Sequence, residues 1–199
     1  ERGRPGAPPV PRRPAPLVTP SPVFLPLREL AALVRTRRVS PVGLTEEFLE
    51  RLETLGPRYN AVVTVTRERA LREAPRAVTE IANGGWRGPL HGIPYGAKDL
   101  LATGGGIPTT WGAAPLRGQT FEADATVIRQ LEAAGAILAA KLAMVELAGG
   151  AGYRQPPARY TGPGRSPWGD DAWSGGSSSG SGSAVGAGLV PFALGSETW

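Results

Sequence analysis

One lysine and one cluster of serines are the residues of this sequence whose types could support hydrolytic chemistry. Lys98 ends a short apolar segment, Pro94 to Lys98, which predicts a buried strand. A lysine withdrawn from water loses the hydration of its charged form, so its pKa falls and the neutral amine can act as a general base. The ordinary alternative is a lysine whose tip reaches solvent and pairs with Asp99.

A base needs a nucleophile, and a hydroxyl-rich stretch supplies candidates. Residues 175–183 read GGSSSGSGS and continue directly into an apolar run of small residues at 184–195. Composition alone is typical of a flexible linker. The apolar run instead favours a tight, buried loop that opens a buried helix, because small residues let backbones approach closely. Since serine–lysine pairs are an established variant of the catalytic triad, Lys98 with a serine of this loop is the hydrolase option.

Composition excludes several other chemistries. The sequence has no cysteine, hence no disulfide framework, no thiol nucleophile and no thiolate metal site. His91 is the single histidine, which rules out a two-histidine metal motif. A Ser-His-Asp triad would have to use His91, which lies in a predicted turn without an accompanying Gly-x-Ser-x-Gly elbow. We therefore expect no metal and no cofactor.

Charge and hydropathy say little about partners or compartment. The net charge is +5, but its arginines are scattered over predicted helix faces and the N-terminal tail, so no specific nucleic-acid binding is expected. No apolar stretch is long enough to span a bilayer, so no membrane partner is expected either. The cytoplasm is the default location, and the oligomeric state stays open.

The elements around these residues alternate between helix and strand. Helices are predicted from Leu27, from Ser40-Pro41 to Gly56, over 67–83 with a kink or break at Pro75, after an N-cap at Asp124, and from Lys141 to Leu147. Strands are predicted over 59–66, 94–98 and 136–140, and irregular loops over 103–120 and 149–174. This rhythm indicates an α/β layer fold. Residues 1–22, rich in Pro and Arg, are predicted to be a disordered tail, followed by one domain portion at 23–199.

Several motifs in order resemble the amidase signature family. They are GIPYGAKDL at 92–100, PTTWGA at 108–113, DATV at 124–127, AGA at 134–136, GGSSSGS at 175–181 and GLVPFALGSET at 188–198. The resemblance runs from about Leu27 to Trp199. It implies an α/β amidase signature fold with a large mixed β-sheet covered by helices, of which the chain holds the N-terminal part.

The resemblance also implies roles for individual residues. Lys98 matches the catalytic lysine of a Ser–cis-Ser–Lys triad, and Ser177 matches the serine whose preceding peptide bond is cis. Ser178 and Ser181 are candidates to hydrogen-bond Lys98 or to hold the loop, with simple loop structure as the alternative. The family's nucleophilic serine is expected about two residues after Trp199, together with the oxyanion-hole N–H groups.

Three positions depart from the family's common pattern. Ser179 and Gly182 replace the commoner Gly and Ala of the loop, which are small-for-small changes. Trp199 stands where the family more often has glycine, next to the expected oxyanion region, which puts the usual geometry of that region in doubt.

The activity implied is hydrolysis of a carboxylic amide to an acid and an amine through an acyl-enzyme, with a small-molecule amide as partner. One alternative is the glutaminase subunit of a tRNA-dependent amidotransferase, with tRNA and a partner subunit. Another is an inactive piece that acts only as a binding module. Because the nucleophile is expected after Trp199, the 199 residues alone are predicted to be inactive.

Overall fold

The computed structural model describes residues 21–149 and 160–197. Most of the tail predicted for 1–22, and part of the loop predicted for 149–174, lie outside these residues. The described helices are α1 (Leu27–Arg35), α2 (Pro41–Thr54), α3 (Arg67–Ala82), α4 (Thr126–Ala133) and α5 (Ser179–Gly186). The described strands are β1 (Val62–Val65), β2 (Pro94–Lys98), β3 (Ile137–Leu142), β4 (Arg165–Ser166), β5 (Gly169–Trp173) and β6 (Ala193–Leu194).

Strand β3 lies inside a mixed four-stranded sheet with the order β1-β3-β2-β6. Strand β2 is parallel to both β3 and β6, whereas β1 is antiparallel to β3. Because parallel strands run in the same direction, the carboxyl ends of β2, β3 and β6 meet at one edge of the sheet. The mixed sheet and its covering helices confirm the predicted α/β class.

Helices α2 and α3 cover the sheet beside β3. Leu49 and Leu52 of α2 pack in one buried cluster with Ala70 and Ala74 of α3 and with the apolar residues of β3. The alanines let α3 lie close to the strand, while each large buried side chain contributes about 1.5–3 kcal/mol. Every residue of β2 and β3 is buried, and Tyr95 and Ala97 of β2 belong to a separate cluster that includes Ile128 of α4.

Local sequence signals set several of these bounds. The Ser40 hydroxyl accepts a hydrogen bond from the N–H of Val42, and Pro41 occupies the first position of α2. The residues of β2 are the five predicted from the apolar segment. These agreements confirm the predicted start of α2 and the predicted bounds of β2.

The structure corrects two predictions about helices α3 and α4. Helix α3 continues through Pro75, so the predicted break is wrong, while the kink named as its alternative stays a prediction. Asp124 makes no capping bond to α4, whose N-cap position is Ala125. Its carboxylate instead binds the Arg69 guanidinium at 2.8 Å and 3.0 Å and accepts the N–H of Gly104, because the half-buried arginine requires a counter-ion.

The helix predicted from Lys141 to Leu147 is also wrong. Lys141 and Leu142 are the last two residues of β3, and only a 3₁₀ turn at Glu146–Ala148 follows. Pairing with β1 on one side and β2 on the other extends the strand beyond its predicted end. Likewise, the segment predicted as an irregular loop contains the β4–β5 hairpin.

Candidate active site

Lys98 is the last residue of β2, and its side chain is 0% exposed. In the parallel ladder Lys98 pairs with Leu142, whereas Ala97 pairs with Lys141. Successive residues of a strand point to opposite faces, so Lys98 and Lys141 leave opposite faces of the sheet. Asp99 continues the alternation and lies on the face of Lys141.

The Gly/Ser stretch forms the predicted buried loop and opens α5, so the flexible linker is excluded. The peptide bond between Gly176 and Ser177 is cis, and the Ser177 carbonyl accepts the N–H of Val145 at 3.0 Å. Gly180 donates its N–H to the Ala143 carbonyl at 2.8 Å. A Cβ on Gly180 would lie 2.4 Å from the Ala143 nitrogen, so only glycine permits this approach to the residues following β3.

The loop brings Ser177 to Lys98. The Lys98 Nζ lies 2.7 Å from the Ser177 Oγ and 2.8 Å from the Ser196 Oγ. Sequence reasoning did not single out Ser196 as a site residue. The signal that could have found it is the short apolar run ending at Leu194, because β6 pairs parallel to β2 and carries the next residues past Lys98.

The surroundings of Lys98 favour a neutral amine. Burial lowers the pKa of Lys98, and the charge of Glu197 opposes that shift. Within residues 21–149 and 160–197 the amine forms hydrogen bonds to the two serine hydroxyls and no ion pair. A neutral amine carries a lone pair that can accept a proton from a hydroxyl at this distance, which is the geometry of a general base.

Ser178 and Ser181 hold the segment that carries Ser196. The Ser178 Oγ accepts the N–H of Ser196 at 3.0 Å and donates to its carbonyl at 3.2 Å. The Ser181 Oγ donates to the Leu194 carbonyl at 2.8 Å. Of the two roles predicted for these serines, their hydrogen bonds fit the holding role, and they do not join Lys98.

An open cleft lies beside this cluster. Its volume is about 360 Å³, and it is lined by Gly176, Ser178, Gly195, Ser196 and Glu197. A larger groove of about 690 Å³ runs between α3 and residues 104–108, but neither Lys98 nor the Gly/Ser loop lines it. The smaller cleft therefore opens onto Ser196 and onto the two residues that flank Ser177 in the chain.

The opposite face of β2 holds a buried ion pair. The Lys141 Nζ lies 3.0 Å from the Asp99 Oδ1, and both side chains are 0% exposed. Burial lowers the pKa of Lys141, and the Asp99 charge opposes this shift. Since Asp99 is bound here, the alternative in which Asp99 pairs with Lys98 is wrong.

His91 has a different role from that of a catalytic histidine. Its Nδ1 accepts the N–H of Arg87 at 3.1 Å, and its Nε2 lies 3.0 Å from the Glu80 carboxylate. Burial lowers the pKa of His91, and the nearby Glu80 carboxylate opposes that shift. The ring precedes β2, at the opposite end of the strand from Lys98, so it takes no part in the serine–lysine cluster.

The side chains and helices of residues 21–149 and 160–197 also bear on metal binding and on membrane spanning. No group of three or more acidic or histidine side chains there could hold a metal ion. In the same ranges, the helices fall short of the length and apolarity needed to cross a membrane.

Comparison with known proteins gives consistent matches. The Amidase family model matches residues 43–198. A putative amidase, AmiD, of Mycobacterium tuberculosis is 42% identical over 174 residues, which are 87% of this chain and 35% of the relative. The A subunit of the glutamyl-tRNA(Gln) amidotransferase of Halorhodospira halophila is 41% identical over 170 residues, 85% of this chain and 34% of the relative.

A solved structure matches at the level of the fold. The native peptide amidase from Stenotrophomonas maltophilia is 31% identical, with a TM-score of 0.77, over 89% of this chain and 36% of that chain. The chain thus spans about a third of the length of the curated relatives it matches. With the family match extending over most of its residues, the chain belongs to the Amidase family.

Proposed function

We propose that this chain supplies the base and the proton relay of an amide hydrolase, with Lys98 as the base and Ser177 as the relay. The observation that carries the proposal is the 2.7 Å contact between a fully buried lysine amine and the Ser177 hydroxyl. The family membership and the peptide amidase neighbour support an amide as substrate. The nucleophile is the serine that the family resemblance expects after Trp199.

The reaction begins with two proton transfers. The Lys98 lone pair accepts the proton of Ser177, whose oxygen accepts the proton of the nucleophilic serine. The resulting alkoxide forms a C–O bond to the amide carbonyl carbon, and the carbonyl π electrons move to oxygen. When this intermediate collapses, the C–N bond breaks, Ser177 gives its proton to the leaving amine, and Lys98 returns a proton to Ser177, which restores the neutral amine. Water then adds to the acyl-enzyme, releasing the acid and regenerating the serine.

The lysine must be uncharged for this sequence to start. Its burial disfavours the ammonium, and the two hydroxyl neighbours offer no full negative charge to offset that loss. Ser178 and Ser181 keep the 194–196 segment in place, which leads toward the expected nucleophile. Each hydrogen bond to that segment contributes on the order of 1 kcal/mol to its position.

The test uses a full-length protein that includes the downstream serine. Lys98→Ala should lower amide turnover by about a thousandfold or more, and Ser177→Ala should lower it by about a hundredfold or more, because each removes a proton-transfer group. Ser183→Ala is the matched control, since the Ser183 hydroxyl binds the Arg165 carbonyl instead of Lys98. Normal turnover in either of the first two variants would reject the assignment.

A second candidate is the ammonia-releasing subunit of a tRNA-dependent amidotransferase. The observation favouring it is the 41% identity to such a subunit, almost equal to the 42% identity to the putative amidase. In that case ammonia released from glutamine would pass to a partner protein. Copurification of tRNA and a partner protein would favour the amidotransferase, whereas turnover of simple amides by the protein alone would favour the free amidase.

A further inference from the structure

The chain contains only two lysines, Lys98 and Lys141, beside 20 arginines. Both lysines are 0% exposed, and they lie at the carboxyl ends of the adjacent parallel strands β2 and β3. A surface charge can be supplied by arginine, but arginine keeps its proton at all working pH values. The two positions that retain lysine are therefore both interior ones.

Lys141 has the contacts of an ammonium. Its Nζ lies 2.7 Å from the Thr109 Oγ1, 2.9 Å from the Leu101 carbonyl and 3.0 Å from the Asp99 Oδ1. The hydroxyl and the carbonyl accept hydrogen bonds from the amine, the Pro108 carbonyl lies at 3.5 Å, and the carboxylate contact is an ion pair, so each neighbour can serve a protonated lysine. Lys98, in contrast, meets two hydroxyls, which can serve a neutral amine as well as a charged one.

Both oxygens of the Asp99 carboxylate have partners on the sheet face that carries Lys141. While its Oδ1 faces Lys141, its Oδ2 accepts hydrogen bonds from the N–H of Thr110 at 2.9 Å and from the Thr110 hydroxyl. The backbone N–H of Asp99 also binds the Leu142 carbonyl at 2.9 Å, which continues the strand pairing. The carboxylate nearest to Lys98 along the chain is thus fixed away from it.

We propose that Lys141 is a positioning residue for the Lys98 site: it binds Asp99 on the opposite face of β2 and forms with it a neutral pair, leaving the Lys98 amine to the serine hydroxyls. The inference rests on the proposed function only in naming Lys98 as the base. It concerns the charge of Lys98, which can be measured without any turnover.

One charged group, Glu197, shifts the Lys98 pKa directly, and the proposal concerns two more, Asp99 and Lys141. Glu197 raises the pKa of Lys98 and is common to all variants below. Asp99 and Lys141 carry opposite charges at similar positions along the strand ends, so their effects on Lys98 oppose each other. Removing one of them exposes the charge of the other.

The experiment measures the Lys98 pKa directly. The 199-residue chain is labelled with ¹³Cε-lysine, which gives two side-chain signals because the chain has two lysines, and Lys98→Met assigns them. Lys141→Met leaves the Asp99 charge and should raise the Lys98 pKa by about one unit; Asp99→Asn leaves the Lys141 charge and should lower it by about half a unit to one unit. The double variant should return to within about 0.3 units of the unmodified chain.

The signs of these shifts decide the outcome. Opposite shifts in the two single variants that cancel in the double variant support the proposal. Shifts of the same sign, or no shift in either, overturn it, because a purely structural role would disturb the site in one direction. If Lys141→Met does not fold by circular dichroism, Asp99→Asn decides alone: a lowered Lys98 pKa supports the proposal, and a raised or unchanged one rejects it. Turnover of the Lys98 variants tests the proposed function separately.

Discussion

The two faces of the β2 end treat a buried lysine in opposite ways. On one face Lys141 meets a carboxylate, a hydroxyl and a carbonyl, so its charged form has a buried counter-ion. On the other face Lys98 meets only the hydroxyls of Ser177 and Ser196 among its hydrogen-bond partners in the described residues. The same side chain, equally withdrawn from water, has a counter-ion in one place and in the other has the hydroxyl partners on which the proposed role as a base rests.

The difference shows that the strand face on which a residue lies decides its partner more than its neighbours in the sequence do. Asp99 follows Lys98 directly in the chain, yet it pairs with Lys141 at 3.0 Å because alternate residues of a strand point to opposite sides. A carboxylate favours a charged lysine, while burial without one favours the neutral form. The placement of one aspartate therefore distinguishes the two lysines.

The largest effect expected from this comparison is on stability. Lys141→Met leaves the Asp99 carboxylate buried without its counter-ion, which typically costs about 3–5 kcal/mol of unfolding free energy. Lys98→Met removes no counter-ion and should change the unfolding free energy by about 1 kcal/mol or less. Urea denaturation of the two variants measures both.

The double variant Asp99→Asn/Lys141→Met is the control for this measurement. It removes both charges, so it should lose less stability than Lys141→Met alone. Equal losses in Lys98→Met and Lys141→Met would contradict the comparison, since the two lysines would then be stabilised alike.

A smaller effect is expected in the pH dependence of stability. The pKa of Lys98 is lowered in the folded chain from its ordinary 10.5, so between these two values the unfolded chain binds more protons. Stability should therefore rise with pH across this window, by about 1.4 kcal/mol for each pH unit that separates the folded and unfolded pKa values. Lys98→Met should lack the part of this rise that Lys98 contributes, while Lys141, whose pKa is also lowered by burial, contributes equally in both chains.

The measurement compares the unfolding free energies of the unmodified chain and of Lys98→Met. It runs from about pH 7 to about pH 9.5, on the acid side of the ordinary lysine pKa. The upper bound avoids the tyrosine range, where the raised pKa of buried Tyr95 acts in the opposite direction. Parallel curves for the two chains would mean that Lys98 titrates in the folded chain as it does in the unfolded one.

The sequence predicted the Lys98 side of this comparison well. Strand β2 is a short apolar segment bounded by turn residues, and helices α1 and α2 follow from periodicity and from the cap at Ser40. The Gly/Ser loop was an alternative to a linker because an apolar run of small residues follows it. For the strand and the helices the deciding signal is local, whereas for the loop the residues left the linker open and the family motifs decided against it.

The Lys141 side was missed because it depends on long-range pairing. The segment from Lys141 to Leu147 consists largely of good helix formers, but pairing with β1 and β2 extends the strand to Leu142. Asp124 was predicted as a cap from its residue type, although the distant Arg69 binds it. Ser196 reaches Lys98 through the parallel pairing of β6 with β2: the apolar run ending at Leu194 marks a short strand, but the fold sets its partner and register.

The smallest effect on turnover is expected from the substitution of Ser196. This serine is one of the two hydroxyl neighbours that distinguish Lys98 from Lys141, and it lies 2.8 Å from the Lys98 Nζ. In the full-length protein, Ser196→Ala should reduce kcat by about tenfold, corresponding to the loss of roughly one hydrogen bond of 1.4 kcal/mol. The unfolding free energy should change by less than about 0.5 kcal/mol, because the residue is exposed at the cleft.

Ser196→Thr provides the matched variant, since it keeps the hydroxyl and should retain most of the turnover. If Ser196→Ala and Ser196→Thr lowered kcat equally, the hydroxyl contact would not matter and the bulk of the segment would. If Ser196→Ala left kcat unchanged, Ser177 alone would suffice to hold the amine. After either result, one difference between the two lysines would remain: Lys141 is paired with a carboxylate and Lys98 is not. Neither substitution at Ser196 changes that difference.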